Sequence, residues 1–141
     1  MRSWRDVLLW KTGACYHNIV GGEMVVEKVK RPRVTHSDTV KVVTGCGNAY
    51  ITPSFIGDRV QEVFVHLGKA GGCAIAQSEA LCRCISIGLR YGVPLSEYIE
   101  QLEGISCPSH ALDGELEVKS CADGLGHILR QYVDVDKPRA V

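Results

Sequence analysis

No stretch of this 141-residue sequence is apolar for anything near the ~20 residues that cross a bilayer; patches such as Val7-Leu8-Leu9-Trp10 are short. The N-terminus lacks the apolar block and small-residue cleavage site of a secretory leader, so a cytoplasmic location is expected. Charge of one sign is also missing. The formal net charge is zero, which speaks against a generally basic nucleic-acid surface. Catalytic signatures are absent as well: there is no nucleophile elbow, no His-Glu-x-x-His and no recognisable carboxylate pair. Neither a Walker loop nor a Gly-x-Gly-x-x-Gly fingerprint occurs. The expectation is a protein that is not an enzyme.

What is present suits one soluble domain. Hydrophobic residues make up 45% and charged residues 23%, and a chain of this length can bury a real core. Seven cysteines is an odd number, and the chain is long for a disulfide-stapled scaffold. Thiols, thiolates or metal ligands are expected instead.

Residues 1–36 read as a basic arm, with Arg2, Arg5, Lys11, Lys28, Lys30, Arg31 and Arg33. A short helix near Trp4–Trp10 and a strand near Met24–Val29 are expected in it. The arm's Trp4, Leu8, Leu9 and Trp10 need a surface to bury against, which suggests a homo-oligomer. From residue 37 to 133 the signals sharpen into a folded domain, and 134–141 is a polar tail.

Thr39–Val43 alternates as a strand, Thr44-Gly45-Cys46-Gly47-Asn48 is a turn, and Ala49–Thr52 returns. A second turn spans Pro53 to Asp58, and Val60–Leu67 is a third strand. A long helix from Cys73 to about Tyr91 follows, then shorter ones from Pro94 and Ser120. The fold class is α+β: an antiparallel β-meander packed against one long and two shorter helices. In the long helix, Glu79, Arg83, Ser86 and Arg90 form a polar stripe, read as a solvated face. Ala76, Ala80, Leu81, Cys84, Ile85 and Leu89 lie opposite, toward the core.

Four cysteines sit at punctuation points: Cys46 in the hairpin turn, Cys73 at the start of the long helix, Cys107 in Gly104-Ile105-Ser106-Cys107-Pro108, and Cys121 in Ser120-Cys121-Ala122-Asp123. Helix N-termini favour thiolate at Cys73 and Cys121, and thiolate is the form that ligates zinc. Cys46, Cys73, Cys107 and Cys121 are therefore candidate ligands of a structural zinc ion. The alternative is four small buried thiols, and no close Cys-x-x-Cys pair supports the metal.

The order of these motifs, with Glu62-Val63-Phe64 before a Gly-rich loop and Leu89-Arg90-Tyr91-Gly92 after it, resembles the TSCPD family over about Arg31 to Val133. That module is otherwise found appended to adenosylcobalamin-dependent ribonucleotide reductases. The family signature Thr-Ser-Cys-Pro-Asp aligns with Lys119-Ser120-Cys121-Ala122-Asp123, with Lys119 and Ala122 as departures. Ser120 and Asp123 suit a helix cap with a reciprocal capping box. Cys121 is not needed for that.

Gly68-Lys69-Ala70-Gly71-Gly72 joins strand to helix. Glycine-rich loops before a helix N-terminus bind anions, so Lys69, Gly71 and Gly72 are candidate phosphate contacts; a tight turn is the plainer reading. Arg83 and Arg90 are the next candidates if a nucleotide binds. Tyr50, Phe64 and Tyr91 are candidates to stack a base, and His66 and His110 are alternative metal ligands.

Three functions follow as expectations. The first is an accessory module that binds a class II ribonucleotide reductase or its nucleotides. The second is a free-standing protein, of the kind a virus or phage encodes, that sequesters a nucleotide-derived signal. The third is a zinc-stabilised interaction domain. The reductase reaction itself needs a large barrel and a radical-generating cofactor, which a chain of this size does not hold.

Overall fold

The computed structural model describes residues 17–20, 23–68 and 72–133. An N-terminal hairpin pairs β1 (His17–Val20) with β2 (Glu23–Val26). A two-residue strand, β3 (His36–Ser37), then joins a sheet with β4 (Val40–Thr44), β5 (Gly47–Ile56) and β6 (Arg59–Leu67). A small hairpin, β7 (Ala111–Asp113) with β8 (Leu116–Val118), completes the strands. The described helices are α1 (Cys73–Arg90), α2 (Leu95–Leu102) and α3 (Cys121–Arg130). None is long and apolar enough to cross a membrane.

β5 is the spine of the antiparallel sheet. β4 pairs with its first half, from Thr44↔Gly47 to Val40↔Ile51, and β3 with Ser54 and Phe55 on the same side. β6 runs along the other side from Ala49↔Leu67 to Ile56↔Arg59, with an irregularity at Ser54/Phe55. Strand alternation puts Val42, Ala49, Ile51, Val63 and Leu67 on one face, where they meet Ile85 and Leu89 of α1, Ile99 of α2, and Leu125 and Leu129 of α3. The other face leaves Tyr50, Phe64 and His66 open.

The meander and three helices match the sequence reading, and several details differ. β5 does not stop at Thr52; it continues through Pro53 to Ile56. Proline is tolerated here because Pro53 lies where β4 has ended and β3 has not begun, so its missing N–H is not required by a ladder. Its carbonyl accepts from Asp38 N–H at 3.2 Å. The strands β1, β3 and β7 were not anticipated. The expected helix near Trp4–Trp10 lies outside the described residues.

The long helix is rotated from the expected position. Cys82, Ile85 and Leu89 are buried, whereas Cys84, Ala76 and Ala80 are exposed. The polar stripe is consequently solvated only at Glu79 and Arg83, while Ser86 and Arg90 are partly buried. Ser86 Oγ accepts from Val63 N–H at 2.9 Å and lies 3.2 Å from Val63 O and 2.7 Å from Cys82 O. Helix α1 thus caps the outer edge of β6 with a hydroxyl, because no further strand pairs there among the described residues.

Candidate functional site

The hairpin turn that carries Cys46 is built around Thr44. Its hydroxyl donates to Gly47 O at 2.8 Å and accepts from Cys46 N–H at 3.2 Å. Gly47, at φ 115°, completes the reversal in a region that disfavours side chains. The Cys121 thiol, at the first position of α3, reaches the same Thr44 hydroxyl at 3.7 Å. Cys107 is brought in by its backbone, whose N–H donates to Lys119 O at 3.0 Å. Its thiol points to Ser109 O at 3.5 Å. Gly45 permits this approach: a Cβ there would stand 1.9 Å from Ser109 O.

Cys46, Cys107 and Cys121 therefore form one interacting group. Charge on Cys121 is the main influence pushing the Cys46 thiol up; partial burial, a hydrogen bond with Cys121 and charge on Cys107 add to it. Cys73 starts α1 and is exposed. The strand that precedes it ends beside the Cys46 turn, since Gly68 N–H donates to Asn48 O at 3.0 Å; residues 69–71, which lead from there to Cys73, lie outside the described residues. Among the described residues, no three His, Cys, Asp or Glu side chains are grouped as a metal ion requires. His110 is engaged elsewhere, between Ser106 Oγ at 2.7 Å and Glu117 Oε1 at 3.1 Å.

The signature segment holds the rim together from beneath. Ser120 Oγ accepts from Asp123 N–H at 3.0 Å and donates to Ile105 O at 2.6 Å. The Asp123 carboxylate does not return to Ser120 N–H as a capping box requires. It accepts from Lys119 N–H at 2.9 Å and from Gly104 N–H at 2.7 Å. Burial works to raise the pKa of this carboxyl, yet the two backbone donors and the charges of His127 and Lys119 hold it below the usual range. The expected cap is present, and it also latches the 104–107 loop that delivers Cys107.

The candidate phosphate contacts fall in different places. Lys69 and Gly71 lie outside the described residues. Gly72 is the N-cap of α1 at φ 70°, with no side chain capping the helix and no acidic residue in its first turn. Ala76 N–H closes the first helical bond onto Gly72 O at 3.2 Å, so the N–H groups of Cys73, Ala74 and Ile75 have no helical acceptor. Arg83 is paired with Glu79 at 2.5 Å. Arg90 donates through Nε to Val29 O at 2.9 Å and faces Glu62 at 3.7 Å, and Arg31 meets Glu62 at 2.8 Å. Both helix arginines thus have partners already. An 18-residue helix is about 27 Å long, so Gly72 and Arg90 cannot grip the same mononucleotide.

Arg83 and Arg90 do share a groove of about 460 Å³ between β6 and α1, with Phe64, Val65 and Ile87 as its apolar lining. Sequence reasoning missed the roles of Thr44, Ser86 and Ser109. Thr44 carried a weak signal as the hydroxyl opening a Thr-Gly-Cys-Gly turn; Ser86 and Ser109 carried none.

No solved structure matches this chain. Among curated proteins it is 30% identical over 107 residues to a vitamin B12-dependent ribonucleotide reductase of Agrobacterium fabrum, covering 74% of this chain and 8% of that protein. It is 29% identical over 102 residues to the enzyme of the same name from Streptantibioticus cattleyicolor, covering 72% of this chain and 16% of that protein. The chain thus corresponds to a small part of these relatives. Residues 24–133 match the TSCPD domain, a span that contains the thiol rim and its Ser120–Asp123 latch, and the chain belongs to the TSCPD domain family.

Proposed function

We propose that this chain is a non-catalytic binding module that takes a nucleotide, or another ligand bearing phosphate, at the rim where α1 begins. The observation that carries this reading is the contrast between two helix N-termini on that rim. The first turn of α3 is capped by Ser120, which accepts from Asp123 N–H, and carries the acidic Asp123, whereas the first N–H groups of α1 have no helical acceptor, no capping side chain and no acidic residue in their turn. Free N–H groups and the helix dipole favour an anion, and Lys69 precedes them by four residues. Relatives named for ribonucleotide reduction point to nucleotides as the phosphate-bearing class. Arg83 and Arg90 drop out as contacts, because both are held by carboxylates or backbone.

Thermal shift against ribonucleotides, deoxyribonucleotides and cyclic nucleotides tests this. A ligand at a hundredfold excess over its Kd stabilises by about 2.7 kcal/mol. Lys69→Ala is expected to abolish the shift and Arg83→Gln to leave it intact. A flat panel overturns the reading. Co-purification with a B12-dependent ribonucleotide reductase separates an accessory module from a chain that sequesters a nucleotide-derived signal alone.

A zinc-stabilised rim is the second reading, favoured by the mutual influence of Cys46, Cys107 and Cys121. Four-sulfur ligation requires Cys73 to join them. Elemental analysis of protein purified without added metal tests it: one equivalent of zinc supports this reading, and well under one ends it.

A further inference from the structure

The N-terminal hairpin and the β6–α1 groove are both unmatched within the chain. Among the described residues, β1 and β2 pack on each other and make no comparable contact with any other element. Their sequence is nonetheless apolar at Ile19, Val20, Met24, Val25 and Val26. A lone two-stranded hairpin is marginal in water, so it needs a surface to cover it.

The groove supplies a surface of matching character. Phe64 is 47% exposed and Ile87 51% exposed on its walls. β6 is an edge strand, and its outward backbone groups at Val63 are taken by Ser86. Strand alternation turns the N–H and C=O of Val65 the same way, and no strand pairs with that edge among the described residues. Four-residue strands extend about 13 Å, comparable to the ~16 Å from Glu79 to Arg90 along the helix wall.

The root of the hairpin decides which groove it reaches. Arg31 is held at Glu62 and Val29 at Arg90, with Val29 N–H donating to Arg90 O at 2.8 Å. Lys28 Nζ then stands 5.9 Å from the Tyr91 ring centre. Traced backward, the chain therefore starts at the Glu62 and Arg90 end of the groove. Among the described residues the hairpin nonetheless makes no comparable contact with β6 or α1 of its own chain, which leaves the groove to the hairpin of another copy.

We infer that the β1–β2 hairpin of one copy lies in the β6–α1 groove of a second copy, and reciprocally, with the strand edge at Val65 continued by the incoming hairpin. Two identical contacts related by a two-fold axis close the assembly and leave no free arm. The rim that carries the thiols lies at the opposite end of α1, so the exchange does not depend on the ligand proposed above.

Light scattering on the full chain, with two variants, tests this. Wild-type protein is expected to be a dimer at micromolar concentration. Val25→Asp in the hairpin and Ile87→Glu in the groove are each expected to give folded monomers, with folding checked by circular dichroism. An equimolar mixture of the two is expected to regain a weaker dimer, because one intact hairpin then meets one intact groove. A monomeric wild type overturns the inference. So does a dimer that survives Ile87→Glu, and so does a mixture that stays monomeric.

Discussion

The carboxylate of Asp123 holds the backbone of Gly104: Oδ1 accepts the Gly104 N–H at 2.7 Å, 19 residues back along the chain. Its other oxygen holds Lys119 N–H, and the residue is almost completely buried. The same loop is pinned a second time by Ser120 Oγ on Ile105 O. The Ser and Asp of the signature therefore do more than start a helix. They clamp the segment that carries Cys107 onto the helix that carries Cys121.

Replacing Asp123 with Asn keeps the shape but leaves one backbone N–H facing an amide donor. A lost hydrogen bond to a charged group, with a donor left buried, costs about 1.5–3 kcal/mol. Asp123→Asn is expected to lower stability by that amount in urea denaturation at neutral pH. The pH dependence follows from the lowered carboxyl pKa. A group depressed on folding stabilises fully above its unfolded pKa, about 3.9, and loses that contribution as pH falls through the folded value. The gap between wild type and Asp123→Asn should therefore narrow on acidification below pH ~4. A constant gap between pH 7 and pH 2 counts against this carboxylate as the source.

Gly45→Ala tests the docking of the 107–110 loop on the Cys46 turn. The added methyl would meet Ser109 O and its carbonyl carbon, both backbone atoms, so the loop has to retreat rather than a side chain rotate. Overpacking of this kind costs about 1–3 kcal/mol. Cys107 should then react faster with a thiol reagent, because its loop no longer sits against the turn. Unchanged Cys107 reactivity together with unchanged stability overturns the tight approach.

Much of this was legible in the sequence, and the unread parts have physical causes. The alternation of Thr39–Val43 and the apolar spacing of Leu95, Ile99 and Leu102 sufficed for the meander and the middle helix. The extension of β5 through Pro53 was hidden, because a proline reads as a break unless the gap between β3 and β4 is known. The rotation of α1 was hidden because small residues surround its core stripe. Ala76, Ala80 and Cys84 fit a buried face as well as Cys82 does, and only the edge of β6 chooses between them. At the rim, the punctuation points of Cys46, Cys107 and Cys121 were readable, but their mutual contact runs through Thr44 and Lys119, which no spacing rule links.

Ser86 provides a measure of how α1 caps the sheet. Its hydroxyl accepts from Val63 N–H, which has no strand partner among the described residues, and its one proton has Cys82 O at 2.7 Å and Val63 O at 3.2 Å as acceptors. Ser86→Ala leaves the Val63 N–H without this acceptor, at about 1–3 kcal/mol. Ser86→Thr keeps the hydroxyl and should recover part of the loss. Hydrogen exchange at the Val63 amide reads the site directly: it is expected to speed up in Ser86→Ala. An exchange rate equal to wild type would show that the hydroxyl is not the partner.

The rotation of α1 also predicts which cysteine reacts. Cys82 is buried, and burial pushes its thiol up to about 12; Cys84, two residues on, faces solvent, as does Cys73. Thiolate is the nucleophile, so a buried thiol titrating that high is inert at neutral pH. Maleimide labelling of native protein followed by peptide mass spectrometry is expected to modify Cys73 and Cys84 quickly and Cys82 only after denaturant is added. Cys84→Ser should abolish rapid labelling of the 82–84 segment with little change in stability. Cys82→Ser buries a hydroxyl in place of the thiol and is expected to cost about 1–3 kcal/mol. Rapid native labelling at Cys82 would reverse the assignment of the two faces and return the helix to the orientation that its alanines suggest.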